Sequence, residues 1–184
     1  MKALAPALFS IVILTSLPAG AEVEKSAELC DVGICLHWWP KLPPLKGWHH
    51  ELGASKEYGV NALAPDGYAF SNAEAVIYAK AAYKPRVPET KSLEMLISSD
   101  KAEFLANDAS IVISEVDPVE TGDGRSLPSF TFFPKGKGNW EQVSYGEEGD
   151  FYLVFTISSR TKAGFEKAIG SYKKLIGFYK EKPE

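Results

Sequence analysis

The chain has 184 residues and a formal net charge of −4, from 20 basic and 24 acidic side chains. That balance excludes the basic excess with which proteins hold nucleic acid or an anionic membrane surface. The length suits one compact domain with one sizeable core.

Residues 1–21 hold one charge, Lys2, then an apolar run from Ala3 to Leu17 and a small-x-small end, Ala19-Gly20-Ala21, before Glu22. This is the pattern of a secretory signal peptide, too short and wrongly flanked for a transmembrane anchor. No later apolar stretch approaches the length of a bilayer span. The first cysteine, Cys30, lies too far downstream to be a lipobox residue. The short charged region and sharp Ala-x-Ala end indicate bacterial export, hence a periplasmic or secreted protein.

Residues 22–70 read as an irregular N-terminal segment packed on the domain. Glu22 to Leu29 is polar and loose. Cys30 to Trp48 carries Pro40, Pro43 and Pro44 together with Trp38, Trp39 and Trp48, which suits an extended segment lying across the domain. Cys30 and Cys35 are read first as a local disulfide, since an exported pair meets an oxidising compartment. A free or metal-binding pair is the alternative. The small loop limits the stabilisation to about 2 kcal/mol.

From residue 71 the pattern becomes regular. Ala75 to Lys84 is expected as a strand, with helix as the competing reading, and Pro85 and Pro88 stop it. Ser92 to Ala106 is a helix with Leu93, Leu96, Ile97 and Phe104 on one face, capped by Thr90 or Ser92, with a possible break near Ser98-Ser99. Strands follow at Ser110 to Val116, Ser129 to Phe133, Trp140 to Tyr145 and Asp150 to Ser158, separated by short turn clusters. The last of these alternates most clearly, Phe151, Leu153, Phe155 and Ile157 against Tyr152, Val154 and Thr156. Short connections predict an antiparallel four-strand meander. Strands apolar on both faces need cover on both. The expected covers are the Ser92 helix and a final helix over Thr161 to Tyr179, capped by Ser158 or Ser159, whose apolar stripe runs Phe165, Ala168, Ile169, Tyr172, Leu175, Ile176 and Tyr179. The fold class is therefore α+β, an α/β/α sandwich over residues 71–184.

The order of strand, helix, four-strand meander and long final helix resembles the PsbP-like α/β/α sandwich superfamily. The likeness is carried by Asn139-Trp140-Glu141-Gln142-Val143-Ser144-Tyr145, by the strand Phe151 to Ser158, and by the helix ending Gly177-Phe178-Tyr179, and it covers residues 71 to 180. It implies an interaction protein without a shared active site, and it transfers no functional residue.

The candidate binding residues are Trp38, Trp39, Trp48, His49, His50 and Glu51. The run Trp48-His49-His50-Glu51 looks like a zinc fragment, and a small metal-dependent hydrolase built on it is the alternative function. Zinc needs three or four convergent ligands, whereas adjacent residues of a strand point to opposite faces, so no metal site and no cofactor is expected. Glu141, Glu147, Glu148 and Asp150 form an acidic group that reads as a solvated hairpin rather than an acid–base pair. Ser159-Arg160-Thr161-Lys162 matches Ser-x-x-Lys, but the spacing recurs at Ser98/Lys101 and Ser171/Lys174, and the companion elements of that enzyme class are missing. No Gly-x-Ser-x-Gly, phosphate-binding or dinucleotide motif occurs. The expected function is an exported, non-enzymatic interaction or binding domain whose partner is an envelope protein or a small ligand.

N-terminal sequencing of the exported protein is expected to begin at Glu22; secreted material beginning at Met1 would contradict the cleavage site.

Overall fold

The computed structural model describes residues 23–30 and 33–180, without the side chains of residues 28–30 and 35. The signal peptide expected at residues 1–21 and the side chains of the Cys30–Cys35 pair lie outside the described residues.

The segment expected to be irregular is largely ordered into regular elements. β1 (Val23–Cys30) and β2 (Gly33–Pro40) pair as an antiparallel hairpin. The chain then continues through β3 (Trp48–His50), α1 (Leu52–Tyr58) and β4 (Asn61–Pro65). The physical reason for the difference is composition. β1 is half polar, with Lys25 breaking its alternation, and β3 and β4 are too short to show an alternation of two. α1 ends at Gly59, which adopts a left-handed φ of 64°, and a Cβ there would lie 2.5 Å from the His37 ring. Glycine serves both the turn and the close approach of β2.

Beyond residue 70 the expected elements occur in the expected order. β5 (Ala75–Tyr83) is a strand, and a 3₁₀ turn at Lys84–Arg86 ends it. α2 (Leu93–Asn107) runs without a break through Ser98-Ser99, and the Ser92 hydroxyl accepts from the Met95 N–H. β6 (Val112–Glu120), β7 (Ser126–Phe133), β8 (Trp140–Glu148) and β9 (Phe151–Ser159) precede α3 (Lys162–Ile176). The cap of α3 is Thr161, not the expected Ser158 or Ser159: its side chain accepts from the Gly164 N–H at 3.0 Å.

Among the described residues the architecture is α+β, a seven-stranded antiparallel sheet in the order β3-β4-β5-β9-β8-β7-β6, with three helices and the separate β1–β2 hairpin. β9 pairs along its whole length with β5 on one side and β8 on the other. Its alternation sorts the core. Leu153, Phe155 and Ile157 pack in one cluster with Phe165, Ala168, Tyr172, Leu175 and Ile176 of α3, while Val154 packs in another with Ile97 of α2, Phe130, Phe132, Val143 and Tyr145. β5 presents Ala75, Ile77, Ala79 and Ala81 to the α3 cluster. Small side chains there admit Leu42 and Leu45 of the Pro-rich connection, with Trp38 of the hairpin packed against the same cluster.

One buried polar chain ties α3 to the sheet. The Tyr172 hydroxyl bonds the Phe155 carbonyl at 2.9 Å and Ser144 Oγ at 2.8 Å, and Ser144 Oγ meets Ser129 Oγ at 2.7 Å. Ser129 in turn donates to the Leu127 carbonyl. Each buried hydroxyl is thus satisfied, which removes the penalty of burying it.

Leu175 is fully buried in the last turn of α3. Leu175→Ala is expected to cost about 2–5 kcal/mol in urea denaturation; a loss below about 0.5 kcal/mol would be that of a surface site.

Candidate functional site

The sequence candidates are dispersed. Trp38 stacks on Tyr83 at 5.7 Å, with the Arg86 guanidinium 4.6 Å from its ring. Trp39 is buried, stacks on His37 and donates its indole N–H to Glu24 at 2.8 Å. Trp48 stands beside Pro65 in register, near Ala75 and Gly164. Trp38 therefore lies at the Tyr83 end of β5 and Trp48 at the Ala75 end, the two ends of a strand about 27 Å long. Both pack at the border of the α3 cluster.

His49 and His50 diverge as β3 requires. His49 Nε2 meets Glu51 at 2.7 Å, and its Nδ1 lies 3.5 Å from Asp66. The two carboxylates engage opposite ring nitrogens and cannot share an ion with this ring. His50 Nδ1 meets Asn61 Oδ1 at 2.9 Å. Asn61 Nδ2 donates to the Pro40 carbonyl, which fixes the amide and makes His50 Nδ1 the donor. Among the described residues no group of three or more His, Cys, Asp or Glu side chains is arranged to hold a metal ion. The Ser-x-x-Lys residues are also committed elsewhere: Ser159 Oγ bonds the carbonyls of Glu74 and Thr161, and Lys162 pairs with Glu166 at 3.6 Å.

The groups that do converge come from five separate parts of the chain. A cleft of about 520 Å³ is lined by Tyr58 and Val60 at the end of α1, Phe70, Ser71, Ala73 and Glu74 of the loop before β5, Val76 and Tyr78 of β5, Asn139 and Glu141 at β8, and Ser158 and Arg160 at the end of β9. Its floor is a register row: Val76 of β5 faces Ser158 of β9, and Ser158 faces Glu141 of β8. Three rings form one wall, with Tyr58 5.8 Å from Phe70 and Phe70 6.3 Å from Tyr78.

Glu141 is the chemical centre of the cleft. It is 8 % exposed, and Ser158 Oγ donates to its Oε1 at 2.5 Å. Burial pushes its carboxyl above the usual range, hydrogen bonds from Ser158 and Asn139 oppose that, and the charge of Asp100 adds to it. Burial also raises the Tyr78 phenol, helped by the charge of Glu141. Proximity in sequence had grouped Glu141 with Glu147, Glu148 and Asp150. Seven residues of strand, about 24 Å, separate it from Glu148, so it belongs to the other end of β8. The alternation of β8 does carry the signal: Glu141 shares its face with Val143 and Tyr145, which are buried.

The loop 68–74 has a second cleft on its other side, about 560 Å³, lined among others by Trp48, Tyr68, Ala75, Arg160, Gly164 and Lys167. Glu74 and Arg160 line both clefts. The loop is stitched to the β9–α3 junction. The Arg160 N–H donates to the Glu74 carbonyl, its guanidinium bonds the Ser71 carbonyl, and Thr161 Oγ1 donates to Glu74 Oε1.

The chain matches no protein-family model, and no curated protein shows significant similarity to it.

The raised carboxyl of Glu141 has a signed consequence. The folded protein holds this proton to higher pH than the unfolded chain, so an ionisation penalty grows as pH rises from the usual carboxylate range through the raised value. Glu141→Gln keeps the shape and the acceptor for Ser158 without that penalty. Its melting temperature relative to the parent is expected to increase between acid and neutral pH; a difference independent of pH, or one that falls, would contradict a buried, destabilised carboxylate.

Proposed function

We propose that this chain is an exported, non-enzymatic binding domain of the bacterial envelope, and that the cleft around Glu141 holds its ligand. The observation that carries the reading is the convergence of an aromatic wall, an almost fully buried carboxylate and a few polar groups on one concavity of about 520 Å³. That size and that mixture are those of a small-ligand site, in which apolar walls supply affinity and sparse polar groups fix orientation. The Ser158 hydroxyl donates to Glu141 and holds that carboxylate in a fixed orientation on the cleft floor.

Export rests on residues 1–21 of the sequence. The finer fold reading, a four-strand meander over β6 to β9 between helix layers and a place among the PsbP-like sandwiches, belongs to the same proposal. The consecutive pairing of β6, β7, β8 and β9 supports it, as does the division of β9 side chains between the α3 cluster and the α2 cluster.

Native mass spectrometry of the protein taken gently from its own export compartment tests the cleft. The expected result is a small-molecule adduct that is lost in Ser71→Trp, a substitution at an exposed position of the cleft lining. Identical spectra for parent and variant, or a protein partner cross-linked to a different face, would overturn it.

A further inference from the structure

The cleft has a chemistry narrower than its size. Its wall is a continuous run of three rings, Tyr58, Phe70 and Tyr78, and its floor carries Glu141. An aromatic face presents the negative lobe of its quadrupole, so rings and carboxylate attract charge of the same sign. Of the three charged side chains in the lining, two are carboxylates, Glu74 and Glu141, against the single guanidinium of Arg160. That guanidinium is held to the Ser71 carbonyl.

Resting on the reading of this cleft as the ligand site, we propose that its ligand is an organic cation: a protonated or quaternary amine seated between the ring wall and Glu141. Such a ligand accounts for a buried carboxylate on the floor. Burial disfavours its charge, and Ser158 and Asn139 offset only part of that cost by donating to it. A bound cation supplies the remainder. The rings suit a weakly hydrated head such as a methylated ammonium, which loses little water on entry. The cleft is larger than such a head alone, so the natural ligand carries a body that reaches the polar rim at Ser71 and Asn139.

The test uses choline as the cation and 3,3-dimethylbutan-1-ol as its uncharged isostere, titrated into the full exported chain and followed by amide chemical shifts. Choline is expected to saturate with shifts mapping to Tyr58, Phe70 and Glu141, and the neutral alcohol to bind roughly tenfold more weakly or worse. Glu141→Gln and Tyr58→Ala are each expected to weaken choline by roughly tenfold. Tyr58 is 58 % exposed, so its removal leaves the core intact if the Gln variant folds poorly. Equal binding of choline and the alcohol would overturn the cation while leaving the cleft as a ligand site. So would a neutral or anionic native adduct. Choline binding unchanged in both variants would place it elsewhere and overturn the proposal. Saturation by neither probe, with no native adduct, would overturn both readings.

Discussion

The pairing of β9 on both of its edges is the constraint from which the other features follow. β5 and β8 are far apart in sequence, and only the insertion of β9 between them brings Val76, Ser158 and Glu141 into one row. The same strand sends Leu153, Phe155 and Ile157 into the α3 cluster and Val154 into the α2 cluster. A one-residue slip of β9 would exchange these two sets and lift Ser158 off Glu141. The apolar alternation that holds the core together is therefore also what fixes the floor of the cleft.

The edges of the sheet show how the chain limits unwanted pairing. β6 is the outer strand at one end, and it is interrupted by Pro118 and by a register shift between Val116 and Val119. Its exposed positions include Glu115, Asp117 and Glu120. Proline, bulge and charge are the devices by which natural sheets discourage edge-to-edge association. At the other end β3 has only three residues, and His49 and His50 spend their polar atoms on Glu51 and Asn61. Their hydrogen bonds tie a short edge strand to its neighbours.

The long periodic elements were legible in the sequence because one physical rule governed each of them. α3 shows this most plainly, with its stripe at three and four and Phe165, Ala168, Tyr172, Leu175 and Ile176 buried. β9 is buried on both faces, and α2 buries Ile97 alone while Met95 and Leu105 stay exposed, so its serine cap marked it better than its periodicity did. The hairpin and the short strands were not legible. β1 is too polar to declare a buried face, and β4, Asn-Ala-Leu-Ala-Pro, is small and apolar on every side. The cap of α3 is Thr161, two or three residues past the expected serines, since Ser159 is bonded to the Glu74 carbonyl. The cleft was hidden for a different reason. Tyr58, Phe70, Tyr78, Glu141 and Ser158 span a hundred residues of chain, and nothing local marks them as neighbours. Glu141 alone gave a sign, a carboxylate in phase with the buried Val143 and Tyr145, and the acidic turn after it masked that sign.

The loop that separates the two clefts gives the molecule one more property. Ala75 and Val76, at the start of β5, line opposite clefts, and the preceding residues supply a wall to each. Glu74 and Arg160 belong to both walls and are bonded to one another's backbone and to Thr161. The two clefts open on opposite faces of one sheet, and the partition between them is held in place by backbone and side-chain bonds to the β9–α3 junction.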